Sequence, residues 1–203
     1  MCYSMKGGIG TSSRCVAMGD RTYTIGVLVQ TNFGSLADLL VMGVPVGAAL
    51  VANGFVPNET PPPASTTDES PDGSLMVILA TDAPLGDRQL RRLALRALLG
   101  VARTNAGAIS NGSGDYVVAF SSAESVRKTA ERRASAGGAE SAVPEVSNDR
   151  ISALFSGAAE AAEEAIYNSL CGAVDVSGHR MLARALPTEL VVAELREHGA
   201  LRA

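Results

Sequence analysis

Asp72-Gly73-Ser74-Leu75-Met76-Val77-Ile78-Leu79-Ala80 lies where the composition of the chain changes most abruptly. Upstream, residues 57–73 are rich in Pro, Ser, Thr, Asp and Glu, with no apolar side chain larger than Ala or Pro. That is the composition of an exposed, solvated linker. Downstream, the unbroken apolar run from Leu75 reads as a buried strand. Past Pro84, with Asp87 as its cap, residues 87–103 carry leucines at 90, 93, 95, 98 and 99 among arginines, which predicts a helix. Linker, strand and helix thus follow one another around a single Gly-Ser bond.

Working outward, residues 11–18 and 22–31 are β-rich and are separated by Gly19-Asp20-Arg21, which predicts an antiparallel pair. Residues 36–56 are apolar but interrupted by Gly and Pro, which suits a buried connection better than a long helix. Residues 115–120 read as another strand, followed by a polar stretch over 123–148. Ile151, Leu154, Phe155, Ala158, Ala162, Ile166 and Leu170 then recur at helical spacing, so the longest helix is expected over 149–173, packed on the sheet. Hairpins mixed with helices, without regular βαβ alternation, indicate an α+β fold in layers and a single domain over 1–203.

Bulk properties remove several classes of function. The 203 residues are 46% hydrophobic and 19% charged, enough for a full core. Apolar stretches such as 39–46 and 75–80 fall far short of the roughly 20 residues a membrane span needs. A net charge of −4 and 4% aromatics leave no basic, base-stacking surface, so no nucleic-acid partner is expected. The first residues lack the apolar core of a secretory signal, and Cys2, Cys15 and Cys171 match neither a metal motif nor an even disulfide set. The expectation is a cytoplasmic protein with reduced, mostly structural thiols.

Familiar catalytic groupings fail. Histidine occurs only at 179 and 198, in the C-terminal tail, so neither a Ser-His-Asp triad nor a histidine zinc site is well supplied. Gly7-Gly8-Ile9-Gly10 lacks the preceding strand of a phosphate loop and reads as a tight turn ahead of a strand. What remains is the Gly73-Ser74 bond. A serine hydroxyl can attack the preceding carbonyl and pass the acyl group from nitrogen to oxygen, giving an ester that water hydrolyses. The product is a serine carrying its own α-amine, whose ordinary pKa of roughly 7.7–8.0 lets it act as a general base without histidine. By itself, Asp-Gly-Ser is also a common turn.

Five separated motifs, in order, carry a resemblance to the DmpA family of L-aminopeptidase/D-esterases and β-peptidyl aminopeptidases. They are residues 6–14 (Lys-Gly-Gly-Ile-Gly-Thr-Ser-Ser-Arg), 26–34 (Gly-Val-Leu-Val-Gln-Thr-Asn-Phe-Gly), 72–85 from Asp72-Gly73-Ser74 to Pro84-Leu85, 110–116 (Ser-Asn-Gly-Ser-Gly-Asp-Tyr) and 162–170. The resemblance implies a four-layer αββα sandwich like that of N-terminal-nucleophile hydrolases but with different connectivity. It implies cleavage between Gly73 and Ser74, leaving residues 1–73 as the end of an α-subunit-like part and 74–203 as a β-subunit-like part. Ser74 takes the place of the nucleophile, Ser113 and Asp115 that of the pair that orients and polarises it and its amine, and Asn32 that of the oxyanion-hole amide. Read without the family, Asn32 is a strand-end turn residue and Ser113 and Asp115 belong to a Gly-rich turn.

The resemblance further implies substrates that are short peptides or aminoacyl amides and esters, with no cofactor and a homo-oligomeric assembly. Family members are longer, and the match begins in mid-motif at Cys2-Tyr3. The part without a counterpart supplies early strands, an oxyanion-hole tyrosine and acidic groups for the substrate's amine. The alternative reading is a non-catalytic truncated remnant or assembly partner of the same fold. Glu163 and Glu164 read as a solvated helix face and are left out of the site.

Overall fold

The computed structural model describes residues 1–58, 73–104, 114–135, 143–178 and 181–201. Strands β1 (Ile9–Met18) and β2 (Arg21–Asn32) form the expected antiparallel hairpin, closed by Gly19 and Asp20. Gly19 has φ of 68° while Asp20 stays at negative φ, a turn whose twist matches that of the strands it joins. A short 3-10 turn at Leu36–Asp38 and helix α1 (Val46–Ala52) occupy the segment read as a buried connection. Strand β3 (Ser74–Thr81) leads into α2 (Asp87–Thr104) and then β4 (Gly114–Ser121). The short helix α3 (Ala130–Ser135) and the long α4 (Ser152–Cys171) follow, then a small hairpin of β5 (Val176–Gly178) and β6 (Met181–Ala183), and α5 (Thr188–Glu197). The sequence reading had no counterpart for that hairpin or for α5, which Val191 and Leu195 anchor in the core.

The main sheet runs β1-β2-β3-β4, antiparallel except for the parallel β3–β4 pair joined through α2. Helix α4 lies over β1 and β2, α2 packs beside β4, and the two helices touch. Ile25, Val27 and Val29 of β2 and Leu75, Val77 and Leu79 of β3 point into this helical layer and are almost fully buried. The packing is close because α4 presents alanines at 158, 161, 162 and 165. Opposite them, a Cβ on Gly10 would stand 1.9 Å from the Ala165 carbonyl oxygen, and one on Gly100 would stand 2.1 Å from that of Ala159.

Strand β3 is not buried on both faces, as its apolar run had suggested. Alternation turns Met76 and Ile78 to the opposite face, beside Tyr116, Val118 and Phe120 of β4, where they are 40%, 43%, 60%, 54% and 47% exposed. Other readings also change. Asp87 is the first residue of α2 rather than its cap. Leu95 and Leu99 sit on the outer side of that helix, exposed, while Leu93 is buried. Of the cysteines only Cys2 is buried, whereas Cys15 and Cys171 are exposed, so the structural reading holds for one of the three.

Candidate active site

Ser74 opens β3 at one end of the sheet, and both neighbouring strands also begin or end there. Its register partners are Asn32, the last residue of β2, and Gly114, the first residue of β4. The hydroxyl lies on the uncovered face, because Leu75 points into the helices and the strand alternates. A Cβ placed on Gly114 would stand 3.6 Å from Ser74 Oγ, and 3.0 Å and 3.4 Å from Cε2 and Oη of Tyr116. The missing side chain at 114 therefore leaves an open space between the serine and the phenol.

Gly73 is fixed just as closely. Its carbonyl accepts a hydrogen bond from the Gly114 N–H at 3.3 Å. A Cβ at 73 would stand 2.7 Å from the Asn32 carbonyl oxygen and 2.9 Å from Cα of Phe33. Glycine at this position is required by the approach of β2, a reason beyond its lack of obstruction to acyl chemistry.

Asn32 is exposed, and its Oδ1 accepts a hydrogen bond from the Met1 ammonium at 2.7 Å, which leaves Nδ2 as the donor end of the amide. Burial lowers the pKa of that ammonium. The segment around Asn32 is held by the turn at Cys2–Met5, where Cys2 and Met5 exchange backbone bonds of 2.9 Å and Tyr3 and Ser4 both take positive φ, 48° and 63°. Tyr3 is fully buried. Its N–H donates to the Phe33 carbonyl at 2.8 Å, its hydroxyl donates to the Thr104 carbonyl at 2.7 Å, and its ring packs on Phe33 and under Gly34. Burial drives the Tyr3 phenol far above its ordinary pKa, so it stays a donor. Thr31 fastens the strand end from the other side, its hydroxyl donating to the Gly8 carbonyl at 3.0 Å and accepting from the Gly8 N–H at 3.2 Å.

Asp115 pairs with Leu75, so alternation sets it on the helix side of β4, across the strand from the face of the Ser74 hydroxyl. Ser113 lies outside the described residues. Asn32, Gly73 and Ser74 are therefore brought together, and Asp115 is next to them but on the other face. Two contributors escaped the sequence reading. Gly114 looked like one residue of a flexible turn, and nothing about Tyr3 announced a buried support.

The remaining candidates fall away on geometry. The Gly7–Gly10 segment is neither the tight turn expected, since the turn lies earlier at Tyr3–Ser4 and Ile9 and Gly10 already belong to β1, nor a phosphate cradle, since the Gly8 amide is used by Thr31 and Gly10 is pressed against α4. His198 hydrogen-bonds within α5 to the Glu194 carbonyl, and His179 lies outside the described residues. Glu163 and Glu164 are engaged rather than merely solvated. Glu163 pairs with Arg103 and accepts from the Tyr167 hydroxyl, while Glu164 accepts from Ser12 and Arg14. Those two partners hold the Glu164 carboxyl below its ordinary pKa, Ser12 contributing most. A shallow recess of about 200 Å³ lined by Met18, Arg21, Tyr23 and Arg150 lies at the turn end of the β1–β2 hairpin, away from Asn32. Among the described residues no group of His, Cys, Asp and Glu is arranged to hold a metal ion, and no helix is long and apolar enough to cross a membrane.

Comparison with known proteins gives the family and the fold. The chain is 42% identical over 180 residues to β-peptidyl aminopeptidase BapA of Sphingosinicella microcystinivorans, covering 87% of this chain and 44% of that protein. It is 38% identical over 185 residues to BapA of Sphingosinicella xenopeptidilytica, covering 88% of this chain and 43% of that one. In three dimensions it superposes on the L-aminopeptidase D-Ala-esterase/amidase of Ochrobactrum anthropi, a serine aminopeptidase with a variant Ntn hydrolase fold. The TM-score is 0.80 and the identity 35%, over 100% of this chain and 51% of that one. A β-aminopeptidase from Burkholderia sp. matches with TM-score 0.77 and 38% identity, over 100% and 52%. The chain thus spans about half the length of these relatives, and it has their fold: the described sheet and its helices are one α-layer and one β-layer of the αββα sandwich. A family model for Peptidase family S58 matches residues 1–183, and the chain belongs to that family.

Proposed function

We propose that the chain carries the nucleophile of a self-processing serine aminopeptidase that releases N-terminal residues from short peptides, amides or esters. The observation that carries this reading is the position of Ser74. It is the first residue of β3, with its hydroxyl on the open face, the Asn32 amide on one side, the Gly114 amide on the other and a close-packed glycine carbonyl before it. In the first reaction Oγ adds to the Gly73 carbonyl carbon, the C–N bond breaks, and the hydroxyl proton ends on the Ser74 nitrogen. Water then cleaves the Gly73 ester, releasing the Gly73 carboxylate and restoring the hydroxyl. In turnover the freed α-amine takes the Oγ proton as Oγ attacks a substrate carbonyl, and returns it to the leaving group.

Asn32 supplies a side-chain N–H to the oxyanion, a donor that does not ionise under working conditions. Ser113 and Asp115 act on the nucleophile and its amine. The amine belongs to the main chain at the rim of β3, so an acidic group coming from the helix side of β4 is better placed for the amine than for Oγ. Association of copies is carried over from the family resemblance, and a cytoplasmic setting is supported by three free thiols. A substrate with a small amino-terminal residue, of L, D or β type, follows from the names of the relatives.

The second reading, a non-catalytic assembly partner, is favoured by the same open face. Intact mass of the full-length protein separates the two. Active processing gives a C-terminal piece beginning Ser74-Leu75-Met76, and Ser74→Ala abolishes both the cut and hydrolysis of aminoacyl amides. A protein that stays whole, or a Ser74→Ala variant that still hydrolyses, rejects the first reading.

A further inference from the structure

Resting on the reading of Ser74 as nucleophile, we propose that the main-chain N–H of Gly114 is an oxyanion donor used twice, first in self-cleavage and then in every turnover. Before the cut, this N–H is the group that donates to the carbonyl oxygen of Gly73, at 3.3 Å. That carbonyl is the one the serine attacks. A carbonyl in a β-ladder lies in the plane of the sheet, whereas the Ser74 side chain stands out of that plane on the open face. Donor and nucleophile thus approach one carbonyl from perpendicular directions, the in-plane donor holding the oxygen while Oγ reaches the carbon from above its plane.

The length of the bond matters. At 3.3 Å it is long for an N–H···O contact, so it contributes little to the ground state. As Oγ adds, the oxygen gains negative charge and a charge-assisted bond shortens to about 2.7–2.9 Å. An interaction that strengthens on the way to the transition state accelerates the step, which is the requirement for catalysis rather than for binding.

Reuse follows from the chemistry. The ester formed between Gly73 and Ser74 is the same functional group as the acyl-enzyme formed from a substrate, on the same oxygen. When the Gly73 carboxylate leaves, the Gly114 N–H loses its partner, and the next acyl carbonyl bonded to Ser74 Oγ occupies the vacated position. Self-cleavage therefore builds the donor site that turnover needs. The absence of a side chain at 114 serves the same purpose, because a Cβ there would itself stand 3.6 Å from Oγ and crowd the space beside it.

The test isolates one hydrogen atom. Gly114→Ala adds a methyl and keeps the N–H; Gly114→Pro adds a ring of two further methylenes and removes it, while glycolic acid at 114 removes the N–H with no added carbon and is compared with the unaltered chain. Proline is tolerable at the first residue of an edge strand, and Tyr116 is exposed enough to swing away from the new carbon. Each full-length variant is made by cell-free synthesis, and the cut is followed by intact mass, with a thermal melt to confirm folding. Should proline unfold the chain, glycolic acid, which replaces the amide by an ester, carries the comparison alone. The expected result is a rate 10²–10³-fold below that of Gly114→Ala for proline, and as far below that of the unaltered chain for glycolic acid, the usual loss for one oxyanion donor. Equal rates within either pair would overturn the proposal while leaving Ser74 as nucleophile. If the unaltered chain stays whole, or Ser74→Ala is still cut, the reading of Ser74 fails and the Gly114 donor fails with it.

Discussion

Gly73→Ala is the smallest change that probes the cleavage geometry. The added methyl would meet the Asn32 carbonyl oxygen at 2.7 Å and Cα of Phe33 at 2.9 Å, where ordinary contacts between carbon atoms start near 3.5 Å. About half an ångström or more of relief is needed, and it has to come from residue 73. Asn32 is paired with Ser74, and the Phe33 carbonyl is bonded to Tyr3, which is itself buried and tied to Thr104. Residue 73 can move only away from β2 and toward β4, which presses its carbonyl onto the Gly114 N–H, alters the angle of that bond and takes the carbonyl carbon off the line of Oγ. A 1 Å misplacement at a reacting centre costs on the order of 10²-fold in rate, so half of that predicts self-cleavage slowed roughly 10-fold or more. Stability should fall by about 1 kcal/mol or more, because the methyl is forced against the β2 backbone, though the residue's partial exposure at the start of a strand keeps the loss at the low end for overpacking. A time course of intact mass during cell-free synthesis, with a denaturant melt of the Ser74→Ala background, measures both. A variant that splits within threefold of the unaltered rate would refute the argument that β2 dictates glycine here.

Three further outcomes follow from the same packing. Gly100→Leu would drive a side chain into the α4 backbone, 2.1 Å from the Ala159 carbonyl oxygen at its first carbon, and should cost about 1–3 kcal/mol, read from the denaturation midpoint. Tyr3→Phe removes the hydroxyl bonded to Thr104 and should cost about 1 kcal/mol in the same measurement, with self-cleavage retained. Iodoacetamide at pH 8 should label Cys15 and Cys171 well before Cys2, as counted by mass. Burial pushes the Cys2 thiol up to about 11, leaving roughly one thiolate in a thousand at pH 8, and the contrast should narrow as pH approaches that value.

The sequence showed its elements where a single periodicity governs. The hairpin around Gly19, the strand after Gly73 and the helix ending near Cys171 all have one dominant pattern, and the structure places them within a few residues of expectation. It misled at β3, because an unbroken apolar run looks the same whether both faces are buried or one is an interface. It said little about Gly10, Gly73, Gly100 and Gly114. Glycine in a sequence signals a turn as readily as a close approach, and only the surroundings distinguish them: opposing backbone at Gly10, Gly73 and Gly100, from residues as far away as Ala165, and the side chains of Tyr116 and Ser74 at Gly114. Tyr3 was invisible for a similar reason. Its importance comes from Phe33, Gly34 and Thr104, which no local pattern links to it. Asn32 and Ser74 came from motif resemblance and prove to be direct register partners.

If Ser74 is the nucleophile proposed above, its placement joins the completion of the fold to the making of a substrate pocket. Its hydroxyl shares a face with Met76, Ile78, Tyr116, Val118 and Phe120, all two-fifths exposed or more. A contiguous apolar surface of that kind marks an interface rather than a wall facing water. Helices already cover the other side of the sheet, so an αββα sandwich requires a second sheet on this one. On the proposed reading of Ser74 as nucleophile, the hydroxyl at the start of β3 would stand at the mouth of the gap between the two sheets, open to a substrate at the rim yet backed by apolar side chains deeper in, and the layer that buries Met76 and Phe120 would also form the opposite wall of the pocket. Substitutions at those two positions should therefore disturb substrate binding through the fit between the sheets, with the hydrogen bonds at Asn32, Gly73 and Gly114 left in place.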